Sequence, residues 1–145
     1  MKRLFAVLLV ILMFFCVCAC DTGTQTESTE DTKTELPVFE VPAEGGYIII
    51  AKYPTPVQCK TVTSAEDMQK IVDYINDAEK TVSEDQRPAA GWYFYIRSTN
   101  GISVSVLGKS ANIDGVRYDV SEDFQEGLLA LYDSLDVAEE DYLKK

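Results

Sequence analysis

Residues 92–106 read WYFYIRSTNGISVSV and have the clearest local pattern in the chain. Apolar side chains alternate with other residues on both sides of Asn100-Gly101, first over residues 92–97 and then over residues 102–106. Strict alternation is the period of a β-strand whose two faces differ. Asn-Gly between two such runs favours a tight turn. The sequence therefore predicts an antiparallel β-hairpin.

The register of this hairpin follows from the need to bury both apolar sets together. A two-residue loop, Asn100-Gly101, would place Ile96 opposite Ser105, so the two sets would face opposite ways. A three-residue loop from Thr99 to Gly101 places Ile96 opposite Val104 instead. We therefore predict the longer loop, a type I turn followed by a left-handed Gly101 in a bulge.

The segments on either side of the hairpin complete the predicted fold. Strands are predicted at residues 47–53, 57–62, 111–113 and 116–120. One helix is predicted from the capping patterns at Thr63 and Ser64 to Lys80, and a second after a Ser121 cap. Residues 81–91 are predicted to form a loop, and Asp136 to cap a short last turn. The order β-β-α-β-β-β-α predicts an α+β fold, an antiparallel sheet of about four to five strands with two helices packed on one face.

Length, charge and composition restrict the function. The 145 residues include 24 Asp plus Glu, 13 Lys plus Arg and no histidine, which gives a formal charge of −11. One domain is the expectation at this length. Without histidine, Ser-His-Asp and Cys-His catalysis within this chain is excluded. The acidic balance argues against a nucleic-acid partner, and no cofactor or metal is predicted.

The N-terminus has the pattern of an export signal. Met1-Lys2-Arg3 is a short positive region, and residues 4–17 are an apolar run that is shorter than a membrane-spanning helix needs. The run ends in Val17-Cys18-Ala19-Cys20, a lipobox frame in which the chain resembles bacterial lipoproteins. The resemblance implies that residues 1–19 are a signal peptide and that Cys20 carries lipid on the extracytoplasmic side of the cell membrane. The alternatives are an ordinary cleaved signal and an uncleaved anchor.

The rest of the chain divides into a tether and a domain. Residues 20–36 are rich in threonine and acids, so we predict a disordered tether. Residues 37–145 are the predicted small α+β domain, which loosely resembles small extracytoplasmic modules of unknown function in Gram-positive-type bacteria. After processing, Cys59 is the one cysteine left for the domain, so no internal disulfide is predicted.

Tyr93, Tyr95 and Arg97 are the candidate interaction residues. They are predicted to share the second face of the hairpin, which is open if the helices cover the Trp92 side. Tyrosine with arginine is a composition enriched at binding hot spots. The alternative is that these side chains stabilise the sheet across strands, or that a helix covers them.

Three other features have simpler structural interpretations. Cys59 is expected to lie buried in a strand rather than to react. The segment from Ser110 to Gly115 has part of a calcium-loop pattern but lacks the first acid, so an Asp-Gly turn is expected. A group of acids lies near the predicted start of the second helix, where negative charge interacts favourably with the helix dipole. The alternative is that these acids form a docking surface for a basic partner. These acids are Asp119, Glu122, Asp123 and Glu126.

Together these observations predict a membrane-anchored extracytoplasmic lipoprotein whose domain is a non-catalytic binding module for an envelope protein. The competing class is a lipoprotein that binds a soluble ligand or inhibits an enzyme. A hydrolase with paired carboxylates comes third, because no spacing in the sequence fixes two acids across a cleft.

Overall fold

The computed structural model describes residues 38–144. The predicted signal peptide (1–19), the predicted tether (20–36) and the predicted lipidation site Cys20 lie outside the described residues. Within residues 38–144, all strands pair in one antiparallel sheet. In chain order the strands are β1 (Ile48–Lys52), β2 (Gln58–Val62), β3 (Lys80–Val82), β4 (Phe94–Ser98), β5 (Ser103–Leu107), β6 (Ser110–Ile113), β7 (Val116–Val120) and β8 (Glu140–Asp141).

The predicted fold class is wrong. The expectation was an α+β domain with four to five strands and two helices packed on one face. The described part of the chain instead has one sheet of eight strands, ordered β3-β7-β6-β5-β4-β1-β2-β8, with only two helices, α1 (Ala65–Asp77) and α2 (Phe124–Ser134). The strands that the sequence did not reveal are the sheet edges β3 and β8. Their three and two residues are too few for alternation to be read.

Those short edge strands replace two predicted features. Lys80–Val82 pairs with β7, where the sequence predicted a helix end and a loop. Glu140–Asp141 pairs with the start of β2, where a turn capped by Asp136 was predicted. Very short edge strands expose few unpaired backbone groups, and so discourage edge-to-edge association.

The central hairpin has the predicted register. Ile96 pairs with Val104 across β4 and β5, and the Ser98 N–H donates to the Ile102 carbonyl at 3.1 Å. Thr99, Asn100 and Gly101 therefore form a three-residue loop. Gly101 has a φ of +93°, the left-handed conformation that the bulge requires.

The helix starts are partly as predicted. Ser64 caps α1, because its Oγ accepts a hydrogen bond from the Asp67 N–H at 3.4 Å. In contrast, α2 begins at Phe124 with Asp123 at its N-cap, two residues after the predicted Ser121 cap.

Both helices bury apolar residues in the main core. This core also contains the apolar residues of β4 and β5, so the predicted hairpin supplies part of its floor. The buried helix residues are Met68, Ile71, Val72, Ile75, Phe124, Leu128 and Tyr132.

Two lysines of the sheet hold the C-terminal ends of the helices, whose last turns contain no basic residue. Lys80 Nζ donates to three carbonyl oxygens at the end of α1, at 2.5 to 3.0 Å. Buried Lys60 donates from Nζ to the carbonyls of Tyr132 and Leu135 at 2.8 and 2.7 Å. Each ammonium satisfies carbonyls that lack a helical partner and meets the negative end of the helix dipole. The lysines therefore fasten both helices to the sheet.

Candidate functional site

The three candidate residues of the hairpin do not share one face. Tyr95 packs against the small cluster of Ile49, Ala51 and Cys59 on the sheet face away from the main core. Tyr93 instead packs against the main core. Trp92 occupies the side where Tyr93 was expected. The predicted common surface is therefore corrected at Tyr93, while the role of these residues in binding stays a prediction.

A β-bulge at the start of β4 explains this exchange. The Tyr93 N–H donates to the Val106 carbonyl at 2.7 Å, although Val106 is already paired with Phe94. Two residues of one strand then stand opposite one residue of the other, and the alternation shifts by one position. The Tyr93 ring consequently lies edge-on to Phe94, with ring centroids 5.1 Å apart.

Trp92, Tyr95 and Tyr142 form an aromatic cluster over the β1–β2 end of this face. The ring centroids are 5.7 Å apart for Trp92 and Tyr95, and Tyr142 lies 6.1 and 6.4 Å from them. Tyr142 belongs to a 3-10 helix, Tyr142–Lys144, that follows β8, and its N–H donates to the Val57 carbonyl at 3.0 Å. The cluster covers the buried side chains of Ile49, Ala51 and Cys59.

Arg97 lies at the rim of the aromatic cluster and is exposed. Burial raises the pKa of the Tyr142 hydroxyl, and the positive charge of Arg97 partly offsets that rise. Arg97 and Tyr95 can be recognised from the sequence but Tyr142 cannot, because a contact between the 3-10 helix and β4 leaves no local pattern.

An open depression of about 530 Å³ lies beside this cluster, and we name it the aromatic depression. Tyr53 and Val57 line it from the segment between β1 and β2, and Leu107 lines it from the end of β5. Trp92 and Tyr93 complete its wall. Tyr53 is 47% exposed and Leu107 44%. None of the side chains that line the depression is charged.

A second groove, the acidic groove, lies between α1 and α2 and has a volume of about 630 Å³. Asp77, Asp123 and Glu126 contribute carboxylates to its lining, so it joins two of the four predicted acids. A hydrogen bond from Ser121 lowers the pKa of Asp123. Asp123 and Glu126 also face the positive end of the α2 dipole. Helix stabilisation therefore accounts for these two acids.

The other two predicted acids lie elsewhere. Glu122 pairs with Lys109 at 2.9 Å on the exposed surface, and Asp119 is exposed on β7, where it pairs with Thr81 and Ser110 in the sheet. Exposed ion pairs of this kind contribute little stability. The four acids do not form one surface.

The wall of the acidic groove is closely packed. The rings of Tyr74 and Phe124 stack with centroids 5.3 Å apart, and the Tyr74 hydroxyl donates to the Phe124 carbonyl at 2.8 Å. Burial, followed by the charge of Asp123, raises the pKa of Tyr74. A Cβ added at Gly127 would collide with the Tyr74 hydroxyl. The glycine therefore permits the approach of the two helices.

The remaining candidates have structural roles. Cys59 is buried in β2, as expected. Asp114 and Gly115 form a two-residue turn with φ of +49° and +89°. The Asp114 carboxylate accepts from the Ser103 N–H at 2.8 Å, and the Asn112 side chain accepts from the Gly115 N–H at 3.0 Å. Both side-chain oxygens thus serve the turn rather than a calcium loop.

Among residues 38–144, no group of three or more His, Cys, Asp or Glu side chains is placed to hold a metal ion. In the same part of the chain, neither helix combines the length and apolarity that crossing a membrane requires. No protein-family model, curated protein or solved structure matches this chain. The geometry of the aromatic depression and the sequence of the N-terminus are therefore the features that bear on function.

Proposed function

We propose that this chain is a membrane-anchored extracytoplasmic lipoprotein whose domain is a non-catalytic binding module for a component of the cell envelope. The sequence Val17-Cys18-Ala19-Cys20, after a positive and then apolar start, supports the anchor. The aromatic depression supports the binding role, and it is the observation that carries this part of the proposal.

The depression has the features of a recognition surface. It is concave, its lining is apolar and aromatic, and a few polar tips reach into it. Tyrosine and tryptophan dominate binding hot spots, because they bury much area at low entropic cost. Tyr53 and Leu107 leave much of their surface in water. A partner that covers them would gain hydrophobic free energy.

The three candidate interaction residues keep a place in this proposal. Tyr93 lines the depression, Tyr95 belongs to the aromatic cluster next to it, and Arg97 lies at the rim of that cluster. An envelope protein is the partner that the sequence favours, and a soluble ligand is the competing class.

The anchor is tested by comparing two cysteine variants in a bacterial host that processes lipoproteins. Cys20→Ala removes the lipid attachment site, whereas Cys18→Ala changes a neighbouring cysteine within the same signal. The Cys20→Ala protein is expected to lose processing and lipid, measured by mass spectrometry of the N-terminal peptide. The Cys18→Ala protein is expected to stay lipidated in the membrane fraction. A lipidated Cys20→Ala protein would contradict the anchor.

The binding role is tested by photo-cross-linking in intact cells. A photoreactive phenylalanine analogue replaces Tyr53 in one strain and Tyr47 in another. These tyrosines flank the two ends of β1 and are both exposed, at 47% and 37%, but Tyr53 alone of the two lines the depression. A discrete adduct is expected from position 53 and not from position 47. Identical adduct patterns, or none from either position, would contradict a binding role for the depression.

A further inference from the structure

A narrow polar pocket adjoins the aromatic depression, since Gly91 and Leu107 line both. The pocket has a volume of about 10 Å³, which is the room needed by one water-sized group. Hydroxyl, amide and guanidinium groups line it, supplied by Ser105, Ser110, Asn112 and Arg117. The combined surface therefore has an aromatic end and a polar end.

The one charge in the lining of this combined surface is engaged within the fold. Arg117 is the one charged residue that lines the polar pocket, and its guanidinium lies 3.7 Å from the Asp85 carboxylate, which also pairs with Arg87 at 2.7 Å. Its Nε also donates to Ser110 Oγ at 2.8 Å. The acidic groove between the helices, by contrast, has three carboxylates in its lining.

This contrast favours an uncharged ligand for the combined surface. The chain has a formal charge of −11, so an anion approaching it is repelled. A cation finds better complementarity at the acidic groove than at a surface with no free carboxylate. A neutral molecule meets neither penalty at the aromatic depression.

Flat aromatic rings beside a hydroxyl-sized polar pocket fit the chemistry of sugar rings. One face of a pyranose consists of C–H bonds with slightly positive hydrogens, which the negative face of an aromatic ring attracts. The rim of the sugar has hydroxyl or acetamido groups, and Ser105 and Asn112 offer both donors and acceptors to them. A proline-rich peptide would use the rings but would leave the polar pocket without a partner.

We propose that the aromatic depression and the polar pocket together bind a neutral oligosaccharide segment of an extracytoplasmic glycan. Tyr53 and Trp92 stack against sugar rings, and the polar pocket takes one hydroxyl group. This assignment gives a ligand class to the binding module and so rests on the proposed function.

Trp92 makes the test direct, because it is the chain's one tryptophan and lines the depression. The full-chain protein is purified from membranes in a polyoxyethylene detergent, which has no sugar headgroup. It is titrated with chitohexaose and with cellohexaose as neutral glycans, and with decaproline as the peptide probe. A saturable shift of the Trp92 emission is expected with at least one glycan and not with decaproline.

A matched pair of variants locates the binding. Tyr53→Ala removes a ring from the depression, and Tyr47→Ala removes an exposed ring at the other end of β1. Tyr53→Ala is expected to weaken glycan binding by at least about tenfold, whereas Tyr47→Ala changes it by less than about twofold. Circular dichroism of both variants checks that the fold is retained.

Three results would overturn the assignment: no saturable change with either glycan, binding of decaproline alone, or equal losses in the two tyrosine variants. A failed glycan titration combined with a position-53 cross-link to an envelope protein rejects the glycan and leaves the binding module standing. Failure of both the titration and the cross-link rejects both proposals.

Discussion

The two faces of the sheet bury apolar residues in different ways. On one face, α1 and α2 cover the main core, and sheet lysines tie the ends of the two helices to the strands. On the other face, an aromatic cluster covers three buried side chains, and an open depression with uncharged walls lies beside it. On the first face, the apolar residues are buried by the two helices. On the second face, aromatic side chains of the depression stay partly exposed to solvent.

Because the two faces differ in this way, substitutions on the helix-covered face should affect stability, and substitutions in the aromatic depression should affect binding. Changes beneath the helices should alter the free energy of unfolding, because the polar atoms there are buried. Changes in the aromatic depression should alter binding with little effect on stability, because Tyr53 and Leu107 remain exposed.

Lys60→Met should cause the largest loss of stability. The buried Lys60 ammonium donates to two carbonyls at the end of α2 and lies 4.8 Å from the Tyr132 ring centroid. Removing a charged donor from buried carbonyls costs about 2–3 kcal/mol. Urea unfolding followed by circular dichroism measures the loss.

Lys52→Met is the matched control for Lys60→Met. The Lys52 ammonium also lies over the Tyr132 ring, at 4.3 Å, but its ion pairs with Asp133 and Glu139 are partly exposed, at 3.5 and 3.6 Å. Such pairs contribute less than about 1 kcal/mol. Equal losses for Lys52→Met and Lys60→Met would show that the helix end does not depend on the buried lysine.

Gly127→Ala should cost about 1–2 kcal/mol, although alanine is the better helix former, because the added methyl group collides with the Tyr74 hydroxyl. The thermal midpoint of the variant measures this loss. In a Tyr74→Phe background the colliding oxygen is absent, so most of the loss should disappear. An unchanged loss in that background would assign the effect to something other than this contact.

Tyr132→Phe should stabilise the protein at neutral pH. Tyr132 is fully buried, and its hydroxyl meets no atom of residues 38–144 at hydrogen-bond geometry, so the Glu139 carboxylate acts on it only from a greater distance. Removing a buried polar group without a partner recovers about 1 kcal/mol. Tyr118→Phe is the control. The Tyr118 ring is also buried, but its hydroxyl is not among the buried polar groups that lack a partner in residues 38–144, so this substitution should change stability less. Denaturant unfolding of the two variants makes the comparison, and a destabilised Tyr132→Phe protein would contradict it.

The same residue gives a pH dependence. Burial, followed by the charge of Glu139, raises the pKa of Tyr132 in the folded protein above the value of about 10 for an unfolded tyrosine. The unfolded state then releases this proton more readily, so stability is retained below about pH 10 and falls as the pH rises above it. Unfolding at a series of alkaline pH values should show a smaller fall for Tyr132→Phe than for the unchanged protein. An equal fall would assign the alkaline loss to other tyrosines.

Tyr53→Ala should have the smallest effect on stability, within about 0.5 kcal/mol, because an exposed side chain outside the core contributes little. Calorimetry of the variant and of Tyr47→Ala gives the comparison. A large loss of stability for Tyr53→Ala would show that Tyr53 stabilises the fold and would contradict its assignment to a binding surface.

Local patterns in the sequence predicted the parts of the fold that depend on neighbouring residues. The β4–β5 register follows from two apolar sets that must share a core, and the Asp114-Gly115 turn follows from residues that tolerate positive φ. The bulge at Tyr93 could not be read, because it depends on how the strand meets Val106 and not on the residue type. That single shift changed the candidate site by exchanging Tyr93 and Trp92.

Contacts between distant segments were the other part that the sequence concealed. Lys60 reaches a carbonyl 72 residues away, and Tyr142 joins a cluster on β4 from the end of the chain. The edges β3 and β8 exist through pairing with β7 and β2 rather than through their own pattern. The aromatic depression combines three such segments, so it emerged only from the fold.

Hydrogen–deuterium exchange of the full chain, with and without cell-envelope fragments of the organism that produces it, compares the aromatic depression with the acidic groove in one measurement. Bound protein is expected to show slower exchange at residues 53–57 and 89–93, which border the aromatic depression, and unchanged exchange at residues 121–130 of the acidic groove. Protection at residues 121–130 with none at residues 53–57 and 89–93 would contradict the assignment of binding to the aromatic face.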